Sequence, residues 1–300
     1  MSAKSLRLAD FGCDLCEAAL SGLLDPVACR PELVQAVLLI LARRTKRSPV
    51  LVGEPGVGKS AVVEGLARDF AAGEVPAVLR GWTIFSLDLG ALVADTRYRG
   101  DFEGRLRSLV AALRAPDARR ILFVDEIHLL DRTGRSEGGL DAANLLKPLL
   151  ARGALPCIGA TTPAEWASLV RRDPALERRF QPVIVPEPTR EQTLEILRVL
   201  RPRFEHHHRV RISDGALRAA IELPPLRECG SRAHPDRAID RLDTACARVA
   251  LGAVRAENDG AEPEAGGAFD FEALARLRRM RRRGPIPGGR PEVLAEHVED

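Results

Sequence analysis

Apolar residues along this chain arrive in two rhythms. The first is the short continuous run: Pro49-Val-Leu-Val52, residues 82–87, Ile121-Leu-Phe-Val124, residues 155–160 and residues 183–185. The second repeats every three or four positions and predicts helices over 31–44, 60–71, 102–113 and 140–150. In the first of these, Pro31 suits the opening turn, and Leu33, Val34, Val37, Leu38 and Leu41 make one apolar face. Strands that are apolar throughout, alternating with helices, predict a three-layer α/β core with a parallel sheet covered on both faces. Ahead of it, residues 1–25 read as an amphipathic lead-in, with Leu6, Leu8, Phe11, Leu15, Ala18 and Ala19 at helical spacing. After Pro186 only the helical rhythm persists, over 189–204, 213–223 and 235–254, with no convincing strand. The acidic, Gly- and Pro-containing stretch 257–267 reads as a linker, 269–283 as a basic helix and 284–300 as a loose tail. The expected organisation is a lead-in at 1–25, an α/β core at 26–187, a small helical subdomain at 188–254, and a linker with basic tail at 255–300.

Composition changes this picture little. At 300 residues and 45% hydrophobic content the chain can bury one large core or two modest ones. Aromatic residues are only 4%, so that core is built from Leu, Val, Ile and Ala. A net charge of +3 does not call for nucleic acid. The basic stretch 276–283 is its only support, and no nucleic-acid partner is expected. No run approaches the length of a membrane-spanning helix, and residues 1–14 lack an apolar signal core, so no membrane partner is expected and a cytoplasmic location is. Cys13 and Cys16 form a C-x-x-C with no second pair to complete a metal site, and are read as ordinary thiols in a helix. His206, His207 and His208 point in different directions along a helix and are read as structural.

Chemistry concentrates at the ends of the apolar runs. Gly53, Glu54, Pro55, Gly56, Val57, Gly58, Lys59 and Ser60 match G-x-x-x-x-G-K-[ST] between a strand and a helix. Its glycines let backbone N–H groups turn toward a phosphate chain, Lys59 reaches the β- and γ-phosphates, and the Ser60 hydroxyl ligates Mg²⁺. The run ending in Asp125 and Glu126 places one carboxylate for the Mg²⁺ shell and a second as the base that polarises the attacking water. The next strand ends in Thr161-Thr162, where a hydroxyl could sense the γ-phosphate or simply cap a helix. Ala175-Leu-Glu-Arg-Arg-Phe180 sets Arg178 and Arg179 on the last turn of a helix. They are either a solvated face or arginine fingers, and periodicity does not decide between the two.

The order of these motifs resembles the first ATPase domain of the Clp unfoldases and disaggregases, the ClpA, ClpB and ClpC group of the AAA+ proteins. The resemblance covers roughly residues 6–254. It rests on Leu24-Asp-Pro-Val27, Arg43-Arg-Thr-Lys46, the stretch Gly53 to Ala61, Val63-Glu-Gly-Leu-Ala67 and Gly73-Glu-Val-Pro76. It continues through Tyr98-Arg-Gly-Asp-Phe-Glu103, Asp141-Ala142, Asn144, Leu146-Lys-Pro148, Ala151-Arg-Gly153 and Gly159-Ala-Thr-Thr162. Ala175-Leu-Glu-Arg-Arg-Phe180, His206-His-His208 and Pro235-Asp-Arg-Ala-Ile-Asp240 complete it. The resemblance implies that Thr162 is the sensor, that Arg178 and Arg179 are fingers acting on a neighbouring subunit's nucleotide, and that Arg237 is a second sensor in a helical lid. It also places Val27 and Ala28 around adenine, Ala61 with the phosphate loop, and Tyr98 in a pore loop that grips substrate. The chain departs from the pattern at 224–234 and at Val27-Ala-Cys-Arg30. No globular N-terminal domain, coiled-coil insertion or second ATPase domain is apparent, so a stand-alone single ring is expected.

The expected function is therefore ATP hydrolysis, with Mg²⁺, coupled to unfolding or remodelling of protein substrates through the pore of a homo-hexamer. The alternative is a nucleotide-dependent switch or assembly ATPase that acts on a dedicated protein partner without threading.

Overall fold

A computed structural model of the chain describes residues 7–28, 30–93, 99–113, 115, 119–129, 155–222, 233–258 and 292–299. It divides into two compact units, Met1–Glu187 and Pro188–Asp300. The first unit contains β1 (Gly12–Asp14), α1 (Leu15–Leu20), α2 (Pro31–Leu41), β2 (Ser48–Val52), α3 (Lys59–Ala72), β3 (Thr83–Leu87), α4 (Leu89–Val93) and α5 (Arg99–Leu113). It continues with β4 (Arg120–Val124), β5 (Cys157–Thr161), α6 (Pro163–Arg172), α7 (Pro174–Glu177) and β6 (Phe180–Ile184). The helices expected over 140–150 and 269–283 lie outside the described residues, as do Tyr98 and the stretch 224–232.

The six strands form one sheet in the order β1-β3-β4-β5-β2-β6. All neighbours are parallel except β1, which runs antiparallel to β3. Every residue of β2 and β5 is buried, as expected of central parallel strands with helices on both faces. Val50, Leu51, Ile84, Ile121, Val124 and Ile158 are all fully inaccessible, and each such side chain contributes about 1.5–3 kcal/mol relative to exposure. Of these, Val50 and Val124 share one core with Phe11, Phe85, Leu106, Leu109, Leu113 and Leu122.

The lead-in is not one amphipathic helix. Residues 12–14 form a sheet strand, and Cys13 stands on it exposed while Cys16 is buried in α1. Two local features break the helical reading. Gly12 has φ +154° and lies so close to β3 that a Cβ would meet the Ser86 carbonyl at 1.9 Å, a geometry open only to glycine. Asp14 then caps α1 by accepting from the N–H groups of Cys16 and Glu17. Burial pushes the Cys16 thiol up to about 11, so it packs as a small apolar group.

The second unit holds α8 (Arg190–His208), β7 (Arg211–Ile212), α9 (Asp214–Glu222), α10 (Asp236–Asn258), β8 (Glu292–Val293) and α11 (Glu296–Glu299). Thr189 opens α8 with a reciprocal cap to Gln192. The helix runs past its expected end at 204 through the three histidines, where His208 Nε2 lies 2.6 Å from Asp243 Oδ1 on α10. Two expectations are corrected here. The unit does contain strands, because β7 pairs in parallel with β8. Residues 292–299 are not loose: Val293 and Val298 are buried in the same core as Leu197, Leu217 and Leu242. Two buried valines in eight residues, without a sustained period of two or of 3.6, are too few to announce an element in sequence. Among the described residues no helix is long and apolar enough to cross a membrane.

Candidate nucleotide-binding site

The first unit brings three strand ends together. β2 runs into the loop Gly53–Gly58, β4 into Asp125 and Glu126, and β5 into Thr161 and Thr162. Gly53 admits no side chain, since a Cβ would stand 2.5 Å from the Val185 carbonyl oxygen. Its N–H donates to the Thr161 carbonyl at 3.2 Å, tying the loop to β5. Gly56 and Gly58 take φ of 83° and 88°, left-handed values that glycine adopts at no steric cost. Gly58 is the N-cap of α3 and offers no side-chain cap. The first N–H groups of a fourteen-residue helix thus open toward the loop, where a phosphate would satisfy them.

Lys59 curls back over this loop and donates from Nζ to the carbonyls of Gly53 (2.9 Å) and Glu54 (3.0 Å). Partial burial lowers its pKa; Asp125, Glu165, Glu54 and Glu126 pull the other way. A cation partly stripped of water and surrounded by carboxylates is well placed to meet a polyphosphate. The Ser60 hydroxyl donates to Asp125 Oδ2 at 2.8 Å. One hydroxyl and one carboxylate in contact suit a hard divalent cation that keeps several waters and takes further oxygens from phosphate. Among the described residues no cluster of three or more His, Cys, Asp or Glu forms a ready-made metal cage.

Glu126 is exposed at the edge of this site with φ 52°, a strained conformation costing about 1–3 kcal/mol in a non-glycine residue. Its neighbours fix it. Its own N–H donates to Asp125 Oδ1 at 3.0 Å, and its carbonyl accepts from Leu129 at 2.8 Å. The next residue, Ile127, is buried, donates its N–H to the Ala160 carbonyl at 3.0 Å and fills the space over Gly159. A Cβ on Gly159 would come within 2.8 Å of Ile127 Cδ1. Thr162 is the N-cap of α6, its hydroxyl accepting from the Glu165 N–H (3.3 Å) and donating to Glu165 Oε2 (2.7 Å).

Val27 and Ala28 lie half-buried in an extended segment strapped across α3. Arg68 Nη2 donates to the carbonyls of Leu24 and Asp25, each at 2.8 Å. Val27 packs on Gly65, whose missing Cβ would stand 3.3 Å from Val27 Cγ1. Arg178 and Arg179 are not on a helix turn. They occupy an exposed turn between α7 and β6, because the strand begins at Phe180 rather than at 183. Arg237 sits in the first turn of α10, in the second unit. Sequence reasoning passed over Ile127, His128, Glu165 and Arg68. Only Glu165 had a local signal, the Thr-x-x-Glu spacing of a capping box.

Residues 49–186 match the ATPase family associated with various cellular activities, AAA, and residues 189–265 match the AAA lid domain. This chain belongs to the Clp-type AAA ATPases. Among its relatives is the chaperone protein ClpB of Rhodopirellula baltica, 53% identical over 244 residues, which are 81% of this chain and 28% of ClpB. Another is the chloroplastic chaperone protein ClpC2 of Arabidopsis thaliana, 51% identical over 83% of this chain and 26% of ClpC2. The AAA ATPase therefore spans between a quarter and a third of the curated relatives it matches. A closed-state cryoEM reconstruction of Hsp104 with ATPyS and FITC casein superposes with a TM-score of 0.74 at 45% identity. It covers 84% of this AAA ATPase and 42% of the Hsp104 chain.

Proposed function

We propose that the chain hydrolyses ATP with Mg²⁺ and couples the cycle to remodelling or unfolding of protein substrates from within a ring, most simply a homo-hexamer. The observation that carries this reading is the 2.8 Å bond from Ser60 to Asp125 beneath the glycine loop, with Glu126 held in a strained turn beside it. Lys59 exchanges its loop carbonyls for the phosphate chain, and Ser60 and Asp125 hold the metal. Held by Ser60 and Asp125, Mg²⁺ would supply positive charge to offset that on the phosphoryl oxygens. Glu126 takes a proton from the attacking water, and the Thr162 hydroxyl stands where it can report the γ-phosphate. Val27 and Ala28 bound the adenine from the strap over α3. Arg237, in the lid, takes the second-sensor role that the family resemblance assigns. Arg178 and Arg179, exposed on their turn, suit fingers offered to an adjacent copy, and Tyr98 is the substrate-gripping aromatic. Support for a protein substrate comes from the casein bound to the structural relative Hsp104. A reducing, cytoplasmic setting fits the free thiols of Cys13, Cys16, Cys157 and Cys246.

The test compares wild type with Glu126→Gln and Tyr98→Ala, reading ATP turnover, light-scattering mass with ATP, and unfolding of a casein-like substrate. Glu126→Gln should bind ATP, assemble, and turn over at least about a hundredfold more slowly. Tyr98→Ala should keep turnover and lose unfolding. A wild-type monomer that hydrolyses ATP rapidly would refute the ring, and unfolding that survives Tyr98→Ala would point to a switch.

A further inference from the structure

His128, Thr161, Thr162 and Glu165 form a closed polar group at the junction of β4, β5 and α6. His128 Nε2 lies 3.1 Å from Glu165 Oε1, and His128 Nδ1 lies 3.3 Å from Thr161 Oγ1. Glu165 Oε2 accepts from the Thr162 hydroxyl (2.7 Å), the Thr162 N–H (3.2 Å) and the Thr161 hydroxyl (3.3 Å). The single proton of the Thr161 hydroxyl goes either to Glu165 Oε2 or to His128 Nδ1, while a proton on His128 Nε2 points at Glu165. His128 stands two residues after Glu126 on the same tight turn, whose other fastening is Ile127 to Ala160. Glu165 thus grips the turn that carries Glu126 through one oxygen and the hydroxyl of Thr162 through the other. It is also close enough to Lys59 to act on its charge.

A capping box alone would need much less. Glutamine serves that role as well as glutamate, and nothing in a cap requires a histidine from another strand. A serine or threonine hydroxyl has a single proton. While Thr162 gives it to Glu165 it has none for a phosphate oxygen, so Glu165 and the nucleotide compete for it.

We propose that Glu165 is a positioning residue, the polar hub that couples the Glu126 turn to Thr162 through His128 and sets the rate of ATP cleavage without adding to ATP affinity. This rests on the ATPase reading above. Substitution by glutamine is informative because it keeps the cap and the size but breaks the hub. Its single carbonyl oxygen cannot serve both sides: with that oxygen on the threonine donors its NH₂ faces His128, which must then accept at Nε2 in place of donating to a carboxylate.

The experiment measures steady-state ATPase and fluorescent-ATP affinity of the full chain, with thermal midpoints, for wild type, Glu165→Gln, His128→Gln and the double variant. Glu165→Gln should lower kcat by about tenfold while nucleotide Kd stays within twofold and the melting midpoint is retained. The double variant should be no slower than the worse single, since both remove one linkage. Turnover in Glu165→Gln equal to wild type overturns the hub, as does a fall in affinity that accounts for the whole loss. Loss that tracks a lowered melting midpoint and recovers on cooling also overturns it, leaving only a cap. A wild type without turnover sinks the ATPase reading itself, which separates that failure from a failure of the hub.

Discussion

At Glu165 two opposing forces meet on one side chain. Desolvation tends to raise its pKa, but the hydrogen bonds from Thr162, the charge of His128 and the hydroxyl of Thr161 outweigh it, and the net shift is downward. A carboxylate whose folded-state pKa lies below its unfolded value contributes stability above the unfolded pKa, about 4.3 for glutamate. That contribution is lost as pH falls through the folded value. Wild type should therefore lose denaturant resistance as pH is lowered through and below about 4, and Glu165→Gln should show a flatter acid limb, read as urea midpoints against pH. Because roughly a third of the side chain is open to water, solvent screening makes the effect modest. An acid limb identical in both proteins would mean that the folded chain does not favour the carboxylate.

Among the elements, legibility followed burial. β2, β4 and β5 announce themselves as apolar runs because both faces are covered, and the phosphate loop because its glycines are obligatory. β1 is hidden because Gly-Cys-Asp carries no strand rhythm; it is held by antiparallel pairing with β3, which Gly12 lets come close. The polar hub is hidden because His128, Thr161 and Glu165 come from three elements, and only the fold makes them neighbours. β8 and α11 are hidden because their stabilisation is tertiary. Val293 is fully inaccessible in the second unit's core. Val293→Ala should cost about 2 kcal/mol, measurable as a lowered urea midpoint. A truncation after residue 291 should cost more, because it also removes Val298 and the Val293 carbonyl that accepts from the Ser213 N–H. No change in either protein would mean that the segment does not seal this core.

For the whole molecule, the proposal that Arg178 and Arg179, exposed on their turn, serve as fingers predicts a division of labour between copies. A variant with both arginines changed to alanine keeps Glu126 but has no fingers to offer. The Glu126→Gln variant has fingers but no base. Each alone should be nearly inactive. Mixed at equal concentration with ATP, they should regain a fraction of wild-type turnover, wherever an intact base faces an intact finger. A mixture as silent as its components would mean that the arginines act within their own subunit or not at all.

The parallel pairing of Ile212 with Val293 carries a consequence for synthesis. A ribosome releases residues in order. The first unit has all its described strands once β6 is made, whereas the helical unit waits for residues 292–299 before its interior can close. During that interval Leu197, Leu217 and Leu242 stand without their final cover. A nascent chain would thus offer a finished nucleotide fold joined to an unfinished one, and the arrival of Val293 and Val298 decides when the second unit becomes dry inside.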